Sequence, residues 1–259
     1  MIIKKYKELE DFFNMFKKGN ADLLIVMSRA GLSKTTTFKE IMKGEDYVYI
    51  NTHSTVLRTY LNLYKKRDMP VCFDDVGNLL NNSTFVSLLK ALTDTSPIKE
   101  LHYNSTTKLL GNVPERFKTT SRACLLLNQF DIRNKTLEPI LDRGVYIQFE
   151  PSKEEILGKI KEIAKSQNIV ENSKCVYEFI EKNYQKIEDL SLRTFIKALY
   201  LYADNPKNWE EKFMNMIGFD EKVIEYLKLK KQYTTDKEMI EKYKWSRATF
   251  YRIKQEAEE

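Results

Sequence analysis

Hydrophobic and polar positions alternate along this chain in two rhythms. Up to about residue 150, short and nearly continuous apolar runs are spaced by amphipathic stretches. The runs are 22–27, 47–50, 71–73, 123–127 and 145–149. Runs that are apolar at successive positions read as strands buried on both faces. The stretches 5–18, 34–43, 56–66, 83–94 and 136–142 have helical spacing. Such alternation predicts a parallel sheet with helices on both faces. Gly19-Asn20 ends the first helix, Gly44 closes the second, and Asn51-Thr52 is placed to cap the third. Residues 98–120 are polar, basic and rich in Ser, Thr and Asn, and read as strand fragments and a loop.

After Pro151 the rhythm becomes helical throughout, over 152–167, 172–184, 189–204 and 208–217. The expected divisions are an α/β domain at 1–150, a helical region at 151–205 and a small helical C-terminal domain at 206–259. In the last, 219–231 is amphipathic, and Thr235–Tyr243 is a short helix with a Thr235/Glu238 capping box. Ser246 caps a further helix to Gln255, with Phe250 and Ile253 inward and Trp245 bracing the turn. Short helix, turn, helix resembles a helix-turn-helix. On its exposed face Arg247, Thr249, Arg252 and Lys254 are candidate DNA contacts. A bundle that packs on 151–205 or binds a protein has the same pattern. In the 98–120 region Lys108, Arg116 and Lys118, with Arg122 beyond it, are further candidates for a DNA backbone.

Composition narrows the class. With 42% hydrophobic residues, 31% charged residues and a mean hydropathy of −0.50, the chain reads as soluble with a real core. No apolar run reaches the roughly 18–20 residues that span a membrane, and Met1–Tyr6 has no signal-peptide core. A cytoplasmic protein without membrane association is expected. Cys72, Cys124 and Cys175 read as reduced core residues rather than a disulfide frame or a metal site. His53 and His102 alone argue against a histidine zinc site. The net charge of +6 is compatible with a polyanionic partner.

The chemistry concentrates at three strand ends. The first is Ser28-Arg29-Ala30-Gly31-Leu32-Ser33-Lys34-Thr35-Thr36, between an apolar strand and a helix. The phosphate-binding loop reads G-x-x-x-x-G-K-[ST]. Lys34 and Thr35 are in register with it, while Ser28 and Ser33 stand where it has glycines. The second is Asp74-Asp75 and the third Asn128. Open α/β sheets bind ligands at that edge. Loop amides and a helix N-terminus cradle phosphates. Lys34 would neutralise β/γ-phosphate charge, and Thr35 with Asp74 would hold Mg²⁺. Asp75 would orient or deprotonate the attacking water, and Asn128 would bond the γ-phosphate or that water. Taken singly, each also reads blandly: a basic loop, a strand-end carboxylate pair, a turn asparagine.

Together these residues resemble the AAA+ ATPases, over about residues 5–205. The carriers are the loop Ser28–Thr35, Val71-Cys72-Phe73-Asp74-Asp75 as Walker B, and Leu125-Leu126-Leu127-Asn128 as sensor 1. Leu137–Arg143 is similar to the family's arginine-finger segment, and Ser191-Leu192-Arg193 to its sensor 2. The Asp-Asp-Val-Gly ending is similar to the helicase-loader and transposition-helper branch. The resemblance implies a P-loop AAA+ sheet, an all-α lid over 151–205, ATP and Mg²⁺ as cofactors, and ATP hydrolysis. It implies a homo-oligomeric ring or spiral, such as a hexamer, in which Arg143 reaches a neighbour's γ-phosphate and Arg193 senses nucleotide in its own subunit. Work on DNA is the expectation, in replication, helicase loading or the maintenance of a phage or mobile element. A helicase, recombinase or other replication protein is the expected partner. Two departures matter. The family prefers Glu where Asp75 stands, and serines at 28 and 33 strain the loop. An ATP-gated DNA-binding adaptor without turnover is therefore the second reading, and a protein-remodelling factor the third.

Overall fold

The computed structural model describes the whole chain except residues 52–53, 105–110, 129–137, 167–172, 244 and 259. His53 and Lys108 lie outside the described residues. The chain divides into two compact units, Met1–Ile156 and Leu157–Glu259.

The first unit is built on a six-stranded parallel sheet. Its strands are β1 (Ile2–Ile3), β2 (Leu23–Met27), β3 (Val48–Asn51), β4 (Val71–Asp74), β7 (Ala123–Leu127) and β8 (Val145–Phe149). The helices between them are α1 (Tyr6–Lys17), α2 (Lys34–Ile41), α3 (Val56–Lys65), α4 (Ser83–Leu92) and α5 (Glu138–Arg143). Strand order across the sheet is β1-β8-β2-β7-β4-β3. The central strands are apolar because both of their faces are covered: every residue of β7 is buried, as are the first four of β2. Edge strand β3 alternates instead, with Val48 and Ile50 in the core and Tyr49 outward.

Period-2 alternation gives each strand two packing faces. Leu23, Ile25, Val71, Phe73, Ala123 and Leu125 share a core with Tyr60 and Leu63 of α3 and Phe85, Val86 and Leu89 of α4. Elsewhere Phe38 of α2 meets Phe13 of α1 edge-on at 5.4 Å and Tyr47 at 5.6 Å. The helices thus lie on both faces, as the pattern of runs predicts.

Local differences have local causes. β1 is too short to leave a pattern, and forms by pairing with β8. The cap of α3 is Thr55, whose hydroxyl accepts from Arg58 N at 3.2 Å; Asn51 instead ends β3. The polar stretch before β7 holds an antiparallel pair, β5 (Lys99–His102) and β6 (Arg116–Thr119). Phe117 anchors it against Tyr60 and Tyr64. Lys99 is buried there because its ammonium reaches Asp22 at 2.6 Å and the Ser121 carbonyl at 3.0 Å. Arg122 is committed elsewhere than to a backbone phosphate: its guanidinium donates to Phe16 O at 2.9 Å and Lys17 O at 2.8 Å. Both carbonyls belong to the last turn of α1, and that of Phe16 also accepts from Gly19 N at 3.0 Å.

The second unit is helical. α6 (Lys153–Ser166) runs into it, and α7 (Ser173–Asn183), α8 (Leu192–Asp204), α9 (Trp209–Met216), α10 (Glu221–Gln232), α11 (Asp236–Tyr243) and α12 (Arg247–Glu258) follow. Trp209 packs on Phe179 at 5.0 Å. Val223, Tyr226, Leu229, Met239, Phe250 and Ile253 form a core of their own, with Trp245 packed against it. The Thr235/Glu238 capping box is present, at 3.3 and 3.4 Å. Among the described residues, no helix is long and apolar enough to cross a membrane.

Candidate nucleotide site

The sheet order gathers the candidate residues. β7 lies between β2 and β4, so Asn128 emerges between the Ser28–Thr35 loop and Asp74. The ladder sets the height of each: Ser28 N donates to Leu127 O at 3.1 Å, and Asp75 N to Leu126 O at 2.9 Å.

The loop turns on two left-handed residues, Gly31 (φ 83°) and Ser33 (φ 66°), and α2 starts at the next position after Ser33. A left-handed residue followed by helical ones aims successive N–H groups the same way, which is the geometry of an anion nest. The first N–H groups of α2 have no intrahelical partner, and the helix dipole adds positive potential there. The two serines now separate. Ser33 adopts the conformation that glycine favours, and its side chain makes no capping bond. Ser28 is not left-handed; it is buried and chemically engaged. The expectation of strain therefore holds for Ser33 and not for Ser28.

Lys34 is buried, and its ammonium is spread over four acceptors. They are Ser28 Oγ at 2.8 Å, Ser28 O at 3.0 Å, Asn128 Oδ1 at 3.0 Å and Arg29 O at 3.3 Å. Thr35 Oγ1 donates to Asp74, at 2.9 Å from Oδ2 and 3.1 Å from Oδ1. A second hydroxyl, that of Tyr49, also donates to Asp74 Oδ2. Burial and this bond push the Tyr49 phenol up from its ordinary value, so it stays a donor. Asp75 is exposed and left-handed at φ 56°, a conformation that Asp tolerates better than longer side chains do. Below the site, Cys72 and Cys124 sit side by side on β4 and β7, in the core as expected, whereas Cys175 on α7 is exposed rather than a core residue. Burial holds the thiols of Cys72 and Cys124 above their usual range, so they remain protonated packing groups.

The donor set suits a magnesium–nucleotide complex. Magnesium takes hard oxygen ligands, needs one or two from the protein, and draws the rest from phosphates and water. Thr35 and Asp74 supply that number. Among the described residues no cluster of three His, Cys, Asp or Glu offers an all-protein metal cage.

Of the remaining candidates, Arg143 and Thr36 belong to the first unit, and Arg193 and the α12 residues to the second. Arg143 is exposed at the end of α5, and donates to Lys90 O at 2.8 Å, in the last turn of α4. Leu137 lies outside the described residues. Arg193 is exposed in the first turn of α8, after the cap Ser191. Thr36 is exposed on α2. On α12, Arg247 is exposed, the Thr249 hydroxyl lies 2.8 Å from that of Ser246, and Arg252 pairs with Glu256 at 3.7 Å. Lys254 is bound to both carboxylate oxygens of Asp236, at 2.8 and 3.0 Å. Tyr49 is the site residue that the sequence pattern alone did not single out. Its alternation is visible, but its contact depends on how β3 registers with β4.

No protein-family model and no curated protein matches this sequence. Solved structures do match its fold. A Walker-type ATPase of Pyrococcus abyssi is similar over 83% of this chain and 72% of its own, at 10% identity and a TM-score of 0.50. A RuvB mutant from Thermotoga maritima is similar over 93% of this chain and 76% of its own, at 14% identity and a TM-score of 0.50. The fold shared with these structures is a P-loop-type parallel α/β sheet covered on both faces, followed by helical elements.

Proposed function

We propose that this chain is an AAA+ ATPase that binds Mg–ATP at the Ser28–Thr35 loop and works as an oligomer on DNA. The observation that carries the reading is the Lys34 ammonium, held by Ser28 and Asn128 beside a Thr35–Asp74 pair. A buried ammonium at the mouth of a left-handed loop, beside the N-terminus of α2, is placed to exchange these neutral acceptors for phosphate oxygens, to which charge-assisted bonds are stronger.

In this reading the amides of residues 29–36 bind the phosphates and Lys34 bridges to the β/γ oxygens. Thr35 and Asp74 hold the magnesium ion, which when bound neutralises charge on the phosphates. Asp75 accepts a proton from the attacking water, and Asn128 orients the terminal phosphate or that water. Two arginines complete the scheme. Arg193 stands in the first turn of α8, where the helix dipole disfavours a cation, so helix stability does not account for it. Arg143 caps α4 within its own chain and would exchange that carbonyl for a neighbouring subunit's γ-phosphate. Support for DNA is the charge of +6 and the α10–α12 bundle with Arg247 and Arg252 exposed; Thr249 and Lys254 would first leave their present partners. We read 151–205 as the lid and 206–259 as the DNA-binding domain.

The test is phosphate release with and without single- and double-stranded DNA, for wild type, Lys34→Ala and Arg143→Ala. Wild type should turn over and both variants should not, and mixing inactive Lys34→Ala with Arg143→Ala subunits should restore part of the rate. Absence of nucleotide binding by wild type would sink the reading. A second reading, an ATP-gated DNA adaptor without turnover, is favoured by one observation: Asp75 is both shorter than Glu and left-handed. It predicts tight ATP binding and no phosphate release.

A further inference from the structure

We propose that Tyr49 is a positioning residue whose phenol holds Asp74 in the orientation that receives magnesium in a Mg–nucleotide complex. This rests on the nucleotide-site reading above.

The argument starts with the two hydroxyls on Asp74. Thr35 is itself a candidate magnesium ligand, so its bond to Asp74 competes with metal binding. The Tyr49 hydroxyl comes from a different element, β3, and meets the same carboxylate oxygen without serving the loop. It is the donor that can stay on Asp74 when Thr35 turns to a cation. Carboxylate ligands depend on such outer partners for their orientation.

The fold holds Tyr49 in place for this contact. Val48 and Ile50 point into the core, so Tyr49 points to the opposite face. Asn51 pairs with Asp74 and Tyr49 with Cys72, so the phenol runs along the strand direction to reach the carboxylate. Lys39 of α2 lies over the ring, with its Nζ 4.5 Å from the centroid. Lys39 and Thr35 are four residues apart on α2, hence on one helix face. One face of α2 therefore grips both members of the Asp74–Tyr49 pair. Packing alone does not ask for a phenol here. The side chain is on an edge strand and 37% exposed, where Phe would fill the same shape.

The experiment is binding of a fluorescent ATP analogue, titrated with Mg²⁺ and repeated in EDTA. Tyr49→Phe deletes one oxygen from a partly exposed side chain, and circular dichroism checks that it melts like wild type. The Mg²⁺ concentration for half-maximal effect should rise about tenfold, the lower end of what loss of an outer partner costs in metal affinity. Affinity in EDTA should not change. In an Asp74→Asn background Tyr49→Phe should add nothing. An unchanged Mg²⁺ dependence would overturn the proposal. So would an equal loss with and without Mg²⁺, or the same shift in the Asp74→Asn background. A wild type that binds no analogue overturns the nucleotide site itself. A wild type with Mg²⁺-dependent binding beside an unaltered Tyr49→Phe overturns the Tyr49 role alone.

Discussion

Two serines stand at the glycine positions of the loop, and replacing each by glycine should have opposite effects. At Ser33 the backbone is left-handed, at φ 66° and ψ 14°, and the side chain makes no capping bond. A β-carbon in that region costs about 1–2 kcal/mol. Glycine removes the cost but adds about 0.5–1 kcal/mol of chain entropy to be lost on folding. The net expectation for Ser33→Gly is a gain of about 0–1.5 kcal/mol, centred near 0.75. For a unit of this size, Met1–Ile156, each kcal/mol moves the melting temperature by about 2–4 °C, so the central expectation is a rise of about 1.5–3 °C. At Ser28 the hydroxyl accepts from Lys34 at 2.8 Å and donates to Arg29 O at 3.0 Å. Deleting it removes a bond to a buried charge, worth about 1.5–3 kcal/mol, with no strain relieved. Ser28→Gly should therefore lower the melting temperature by several degrees. Differential scanning calorimetry on both variants decides. A fall for Ser33→Gly, or a rise for Ser28→Gly, refutes the argument that backbone conformation separates the two positions.

Asp75→Asn keeps a residue type that tolerates the left-handed region but removes the carboxylate proposed as the base. Phosphate release should fall by roughly 10²–10⁴-fold with ATP affinity retained, measured by steady-state turnover beside equilibrium binding. At Gly144, an added β-carbon would lie 2.6 Å from Leu23 Cγ, at the foot of β2. Gly144→Ala should cost about 1–3 kcal/mol in a urea melt. Asp68 accepts from the Thr120 amide at 2.7 Å, and that bond holds its carboxyl below the usual range. A lowered folded-state pKa gives stability that is present above the unfolded value of about 3.9 and lost as pH falls through the folded one. Asp68→Asn should thus lower the melting temperature at pH 7, and the deficit should shrink on acidification below about pH 4.

Much of the fold was legible because its determinants are local. Leu23–Met27 and Ala123–Leu127 are apolar at every position, which only a doubly covered strand requires. Ser191, Thr235 and Ser246 announce their helices through cap chemistry. The site was legible at one further level, since Lys34, Asp74 and Asn128 each follow an apolar run. What was not legible depends on pairing between distant segments. Ile2-Ile3 becomes a strand only because β8 offers an edge. Lys99 looks like a solvent-facing residue until Asp22 and Ser121 meet it. Arg122 looks like a free basic group until the end of α1 takes it. Tyr49 acquires its contact from a register between two strands. Nothing in the sequence distinguishes Ser28 from Ser33, because the difference lies in a dihedral angle.

The central claim is that the loop from Ser28 to Thr35 is a phosphate cradle centred on Lys34. Equilibrium binding of a fluorescent ATP analogue with Mg²⁺, to wild type and to Lys34→Ala, tests it most directly. Saturable binding by wild type, weakened roughly 10–100-fold in the variant, is what a lost charge-assisted bond of about 1.5–3 kcal/mol predicts. Equal binding by both proteins, or none by either, would contradict it.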